Sequence, residues 1–246
     1  MSVVELKPGQ SSAVRRNAES IVYDLAVGTV RELNCMLHGD LLAHGVKRVV
    51  VENPEGAHNI CVGVDAPIQI DIQGHAGYFV AGQNVLAHVT VHGNVGRSLA
   101  ENIMSGTVRV KGYASESVGA SGHGGLVIVE GDAGSRCGIS MKGVDIVVGG
   151  SVGHMSAFMA QAGRLVVCGD AGPGLGDSLY EAVIYVRGRI EGFGADAREE
   201  PMSEADYGAV AELLSRAGIS HDPKEFKRVA SARTLYHWNP DGNQEY

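Results

Sequence analysis

Seven short stretches decide the fold: Ile70-Asp-Ile-Gln-Gly74, Val89-Thr-Val-His-Gly93, Val108-Arg-Val-Lys-Gly112, Val127-Ile-Val-Glu-Gly131, Ile146-Val-Val-Gly-Gly150, Leu165-Val-Val-Cys-Gly169 and Ile184-Tyr-Val-Arg-Gly188. Each closing glycine lies 19 residues after the one before it. The first and third positions are branched aliphatics in all seven stretches. The residue between them varies through Asp71, Thr90, Arg109, Ile128, Val147, Val166 and Tyr185. That alternation predicts strands with one face inward and one outward. Asp71, Thr90 and Arg109 then meet solvent, while the apolar run from Ile128 to Val166 implies that something covers the sheet there.

Two further columns follow each closing glycine. Three residues on stand Gly77, Gly96, Ser115, Gly134, Gly153 and Gly172, as a corner with little room requires. Seven residues on stand Ala81, Ala100, Gly119, Gly138, Ala157 and Gly176, a column with nothing larger than alanine. A strict period with matching columns means that each coil stacks on the last and buries a continuous aliphatic ladder that no single coil buries alone. The expected fold is an all-β core, a right-handed parallel β-helix of about seven 19-residue coils. At ~4.8 Å per strand it is roughly 30 Å long. A left-handed hexapeptide helix needs 18 residues per coil and a propeller about 40 per blade, so neither fits.

The chain accordingly divides into an N-terminal extension (1–64), the β-helix (65–195) and a helical C-terminal extension with a docking tail (196–246). Thr29-Val-Arg-Glu32 has the form of a capping box and predicts a helix over 30–38, with VVVEN and NICVGV as irregular first strands. Ser203 to Asp206 opens a second helix that stops at Gly218 and is placed to cap the open end of the β-helix. Asp222-Pro223 predicts a short third helix through Phe226 and Val229. Aromatic and arginine residues are favoured interface anchors, so Arg228, Arg233, Tyr236, His237 and Trp238 are the candidate contacts with another subunit.

Composition narrows the function. Thirty-five glycines in 246 residues is about twice the usual ~7% share and agrees with many tight corners. A net charge of −8 argues against a nucleic-acid partner. The first residues lack the apolar core of a signal peptide, and no long apolar run is present, so a cytoplasmic chain without membrane contact is expected. Cys35, Cys61, Cys137 and Cys168 form no C-x-x-C pair and read as buried free thiols. The ten histidines show no H-E-x-x-H spacing. Gly169 to Gly176 imitates a phosphate-binding loop, yet another repeat follows it where the fingerprint needs a helix. No nucleophile, base, cofactor site or metal site emerges.

The segment GDAGSRCGISMKGVDIVVGGSVGHMSAFMAQAGRLVVCGDAGPGLGDSLYEAVIYVRG (131–188) resembles the GXGXG-domain β-helix that ends the large subunit of glutamate synthase and also occurs as a free-standing subunit. FKRVASARTLYHW (226–238) is similar to the free-standing type, and within it to the β-helical subunits of N-methylglutamate synthases. The resemblance covers roughly residues 65–195. It implies a non-catalytic scaffold in a complex with an amidotransferase-like subunit and a synthase subunit carrying FMN and an iron–sulfur cluster. The implied reaction turns L-glutamate and methylamine into N-methyl-L-glutamate and ammonia. Ser115 and Glu191 depart from the corner-glycine pattern. Because the same β-helix serves other glutamate-synthase-like complexes and formyl hydrolase or formylmethanofuran dehydrogenase complexes, fold alone does not choose among them.

Overall fold

The computed structural model describes residues 13–16, 19–39 and 41–234. In chain order its elements are β1 (Val14–Arg16), β2 (Ser20–Asp24), α1 (Val30–Leu37), β3 (Arg48–Glu52), β4 (Gln69–Gln73), β5 (His88–Val91), β6 (Thr107–Val110), β7 (Leu126–Val129), β8 (Lys142–Val148), β9 (Ala162–Val167), β10 (Val183–Val186), β11 (Ala197–Glu200), α2 (Glu204–Ala217) and β12 (Lys227–Ser231). A 3₁₀ turn, Pro223–Glu225, precedes β12. All twelve strands form one sheet in the order β1-β2-β3-β4-β5-β6-β7-β8-β9-β10-β12-β11. From β2 to β10 every pairing is parallel, which makes the body a parallel β-solenoid.

The seven repeats pair in the expected register: Ile70 opposite Val89, then Val108, Val127, Ile146, Leu165 and Ile184. All fourteen aliphatics of the two inward columns are at most 1% exposed. The parallel sheet also begins before residue 65. Ile21, Val49 and Ile70 lie side by side although 28 and 21 residues separate them, so VVVEN is the regular strand β3. NICVGV is not a strand: Asn59, Cys61 and Gly63 have left-handed backbones. α1, capped by the reciprocal Thr29 and Glu32 bonds, crosses from β2 to β3 and buries Leu33 and Leu37 in the same interior.

Close stacking explains the small columns. A Cβ on Gly153 would lie 2.6 Å from the Ser135 amide nitrogen and 2.8 Å from the Gly134 carbonyl carbon, so the corner admits no side chain. The column Ala81, Ala100, Gly119, Gly138, Ala157 and Gly176 is left-handed throughout, with φ from 52° to 71°. It points inward; a Cβ on Gly119 would meet Ile146 Cδ1 at 2.7 Å. Residues two before and two after each member are left-handed as well. Such backbone costs non-glycine residues about 1–2 kcal/mol each. Bonds to both neighbouring coils offset it: Ser98 N–H reaches Glu116 O (2.9 Å), Ala100 N–H reaches back to Val80 O (2.9 Å) and Asn102 N–H reaches Ala120 O (2.8 Å).

A column that sequence reading passed over stands one residue beyond the closing glycines: His75, Asn94, Tyr113, Asp132, Ser151, Asp170 and Arg189. Five of its side chains accept the backbone N–H of the same column one coil later. His75 Nδ1 accepts from Asn94 (2.9 Å), Asn94 Oδ1 from Tyr113 (3.1 Å), Asp132 Oδ1 from Ser151 (2.7 Å), Ser151 Oγ from Asp170 (3.0 Å) and Asp170 Oδ1 from Arg189 (2.7 Å). These acceptors sit beneath the next closing glycine, where a Cβ on Gly112 would lie 2.0 Å from Asn94 Oδ1.

The C-terminal extension departs from expectation in two places. α2 does not cap the open end but lies on the outer face of the sheet. There Val210, Leu213, Leu214 and Ala217 bury Leu126, Ile128, Val147, Val166 and Tyr185, the apolar patch that the repeat pattern exposed. The predicted third helix is a single 3₁₀ turn followed by a strand. β12 pairs antiparallel with β10, Ile184 opposite Val229, and satisfies the open edge that a lone last coil would leave. β1 closes the other end in the same antiparallel way.

Ile146→Ala is expected to lower stability by about 2–5 kcal/mol, as buried large-to-small changes do. Gly153→Ala is expected to cost roughly 1–3 kcal/mol by overpacking, although it adds a single methyl group. Urea midpoints of the two variants against the parent check both values.

Candidate functional site

The residues nominated for subunit contact begin with Arg228 on β12. Its side chain is 21% exposed and lies on the outer face of the sheet beside the start of α2, where Nε lies 3.2 Å from Asp206 Oδ1 and Nη1 pairs with Glu200 of β11. The Tyr185 hydroxyl of β10 donates to the same Asp206 oxygen at 2.7 Å. Asp206 is also the third residue of α2, and its other oxygen accepts the Ser203 N–H at 2.8 Å to complete the cap. One carboxylate thus joins the helix start, the last parallel strand and the closing strand.

Burial by itself would raise the Asp206 pKa, but Ser203, Tyr185 and Arg228 hold it below the usual carboxylate range. Glu200 is likewise lowered, first by Arg198 and then, against burial, by Arg228. The Tyr185 hydroxyl is pushed up by burial and by its bond to Asp206. At neutral pH the knot is therefore two carboxylates, two guanidiniums and a neutral phenol, a balanced structural set.

Arg233 stands at the rim of the same region, 3.0 Å from Glu181 Oε2. Asp196 fixes the approach to it: its carboxylate accepts from Ser231 Oγ at 2.7 Å and from Thr234 N–H at 2.8 Å. Tyr180, Glu181, Arg198, Glu200, Arg228 and Arg233 line a polar cavity of about 260 Å³. Arg228 and Arg233 therefore share one cavity, while Tyr236, His237 and Trp238 lie outside the described residues.

The remaining candidates are dispersed. His75 belongs to the acceptor column, His92 bonds Asp71 at 2.9 Å, His58 stacks on Tyr78 with ring centres 4.5 Å apart, and His38 Nε2 lies 2.7 Å from Val62 O. Among the described residues, no three His, Cys, Asp or Glu side chains gather to hold a metal. No described helix is long and apolar enough to cross a membrane. The glycines of 169–176 occupy the corner and left-handed columns of their coil. Asp206, Tyr185 and Asp196 were not legible as a set, because they converge only when β12 folds back on β10.

No family model matches the chain. It is 50% identical over 226 residues to the protein GlxC of Rhizobium meliloti (strain 1021), covering 92% of this chain and 99% of that protein. The chain belongs to the GlxC family. The cysteines of this GlxC-family chain are all free, and three are buried as expected. Cys35 is the exception, exposed on α1. Burial pushes the Cys137 thiol up to about 12, and Cys168 to about 11 despite the nearby Arg187, while Cys61 is raised further still. None of these three is a thiolate at neutral pH, so none is a nucleophile or a ready ligand.

Two outcomes follow. A thiol reagent should label Cys35 alone in the native protein and all four cysteines after denaturation, counted by mass spectrometry. Asp206→Asn should cost about 1.5–3 kcal/mol at pH 7, the worth of a bond to a charged group. Because the native pKa of Asp206 is depressed, its contribution is complete above the unfolded value of ~4 and disappears as pH falls through the native one. Thermal unfolding of variant and parent should therefore converge as the pH is lowered.

Proposed function

We propose that this chain is the structural subunit of a glutamate-synthase-like flavoenzyme complex, and specifically of N-methylglutamate synthase, which converts L-glutamate and methylamine into N-methyl-L-glutamate and ammonia. The observation that carries this reading is the resemblance of residues 131–188 to the free-standing β-helix of such enzymes, on a chain that folds as a continuous parallel solenoid. The match to GlxC along 99% of that protein's length supports a solenoid acting as its own subunit.

The chemistry of the side chains agrees with a scaffold. Arg228, Glu200, Asp206, Asp145 and Arg164 are engaged with one another or with α2, and the buried thiols are protonated. Cys35, Cys61, Cys137 and Cys168 are among the described residues, where no three His, Cys, Asp or Glu side chains gather, so they do not furnish the clustered thiolates of an iron–sulfur centre. In the proposed complex FMN and the cluster belong to a synthase subunit, and an amidotransferase-like subunit supplies the other partner. A prism whose coils are cross-bonded on every side keeps two such partners at a fixed separation.

Purification through a tag on this chain from its native host should bring down both partners, with flavin and iron–sulfur absorption and N-methylglutamate formation. The isolated chain should show neither. Turnover by the isolated chain, or its recovery without partners, would refute the scaffold role. Removing residues 235–246 leaves every described contact in place and should reduce recovery of the partners; an unchanged complex would exclude the tail as a docking element.

A further inference from the structure

The acceptor column described above uses one end of each side chain and leaves the other end facing outward. His75, with Nδ1 accepting, carries its hydrogen on Nε2, and Asn94, with Oδ1 accepting, turns out its amide hydrogens. Neither outward donor has a partner among the described residues. Tyr113 follows them in the column and is 54% exposed. These three residues and Ser115 line a groove of about 430 Å³ that spans three coils. Beyond Tyr113 the character of the edge reverses: Asp132 and Asp170 each commit one carboxylate oxygen to the column and present the other outward. Both aspartates are exposed and neither has a salt bridge among the described residues.

The reversal falls where the column is broken. Tyr113 offers no acceptor to the next coil, and among the described residues the Asp132 N–H has no protein partner. A short polar residue would continue the column, as Asn94 and Ser151 do. The large aromatic forgoes that bond and projects into the groove instead, the placement of a residue that meets something outside the chain.

We propose that this edge docks an extended segment of a partner polypeptide, with acceptors of that segment on His75, Asn94 and Tyr113 and a Lys or Arg side chain on Asp132 and Asp170. Charge and donor complementarity select the occupant: the donors of His75 and Asn94 stand on one side of Tyr113 and the unpaired carboxylates of Asp132 and Asp170 on the other, with Ser151 between them and Arg189, paired with Glu191, closing the row. From His75 to Asp170 is five coil spacings, roughly 24 Å, which about seven residues of extended chain cover. The proposal rests on the scaffold reading, since it needs a partner.

The test compares covalent labelling of the isolated chain with that of the complex purified through a tag on this chain. Carboxylates are coupled to glycinamide by carbodiimide, and tyrosines are iodinated. Joint protection of Asp132, Asp170 and Tyr113 in the complex supports the edge. An intact complex in which all three react as they do in the isolated chain overturns it and leaves the scaffold reading standing. Recovery of the chain without partners defeats the scaffold reading and this inference with it. Concentration-dependent protection in the isolated chain overturns it in favour of a second copy. Tyr113→Ala removes an exposed side chain that makes no column bond, and the Asp132→Asn, Asp170→Asn double variant removes both charges while keeping an Oδ1 acceptor for the column; each should weaken assembly roughly tenfold or more. Native far-ultraviolet circular dichroism of the variants with unchanged assembly would also overturn the proposal.

Discussion

Backbone lies on backbone in this molecule with no room between for a Cβ at the corners, and most of the chain's features answer to that contact. When one coil rests on another at about 4.8 Å, each residue has its own column as nearest neighbour. Aliphatics therefore stack inside, where a filled Val or Ile position contributes about 1.5–3 kcal/mol. Glycine persists where the stacking leaves least space, and the left-handed rows persist because each strained residue bonds coils on both sides. The closing glycines are a case in point. Their position is set by Asn94, Asp132, Ser151 and Asp170, which tuck beneath them from the preceding coil.

This geometry explains what was readable in the sequence. The fourteen inward aliphatics and the two small columns were legible because a parallel stack in register copies each requirement every 19 residues. β2 and β3 were not, because insertions separate Ile21, Val49 and Ile70 by unequal distances while leaving them adjacent in space. The left-handed run at Asn59, Cys61 and Gly63 has the conformation of Phe79, Ala81 and Gln83 but stands 20 residues before it, so the period concealed it. The Asp222-Pro223 signal was real and produced a 3₁₀ turn. What followed was decided by the unpaired edge of β10, a tertiary demand with no local signature. Of the candidate contacts, Arg228 and Arg233 came together in one cavity, yet the carboxylate that organises them, Asp206, was visible only as a helix cap.

Polar groups in this chain mostly hold parts of the chain to one another. Asp206 joins three elements, Asp196 fixes the segment after β12, and Arg109 of β6 bonds both Glu130 (2.7 Å) and the Ala217 carbonyl at the end of α2 (3.0 Å). A cation at that position is favoured by the helix dipole as well as by the bond.

The placement of α2 also bears on how the solenoid comes apart. In a stack whose stability is a sum over neighbouring coils, opening can start at any weak junction and spread one coil at a time. The 14-residue helix, about 21 Å long, runs across five strands and is fastened near β10 by Tyr185 and at β6 by Arg109. It acts as a splint: separating any junction beneath it strips apolar surface from all of them. The half from β6 to β10 thus becomes a single cooperative unit, whereas β2 to β5, with no such brace on their outer face among the described residues, are left to fray singly. Amide hydrogen exchange would see a graded protection on one side of Arg109 and a uniform one on the other.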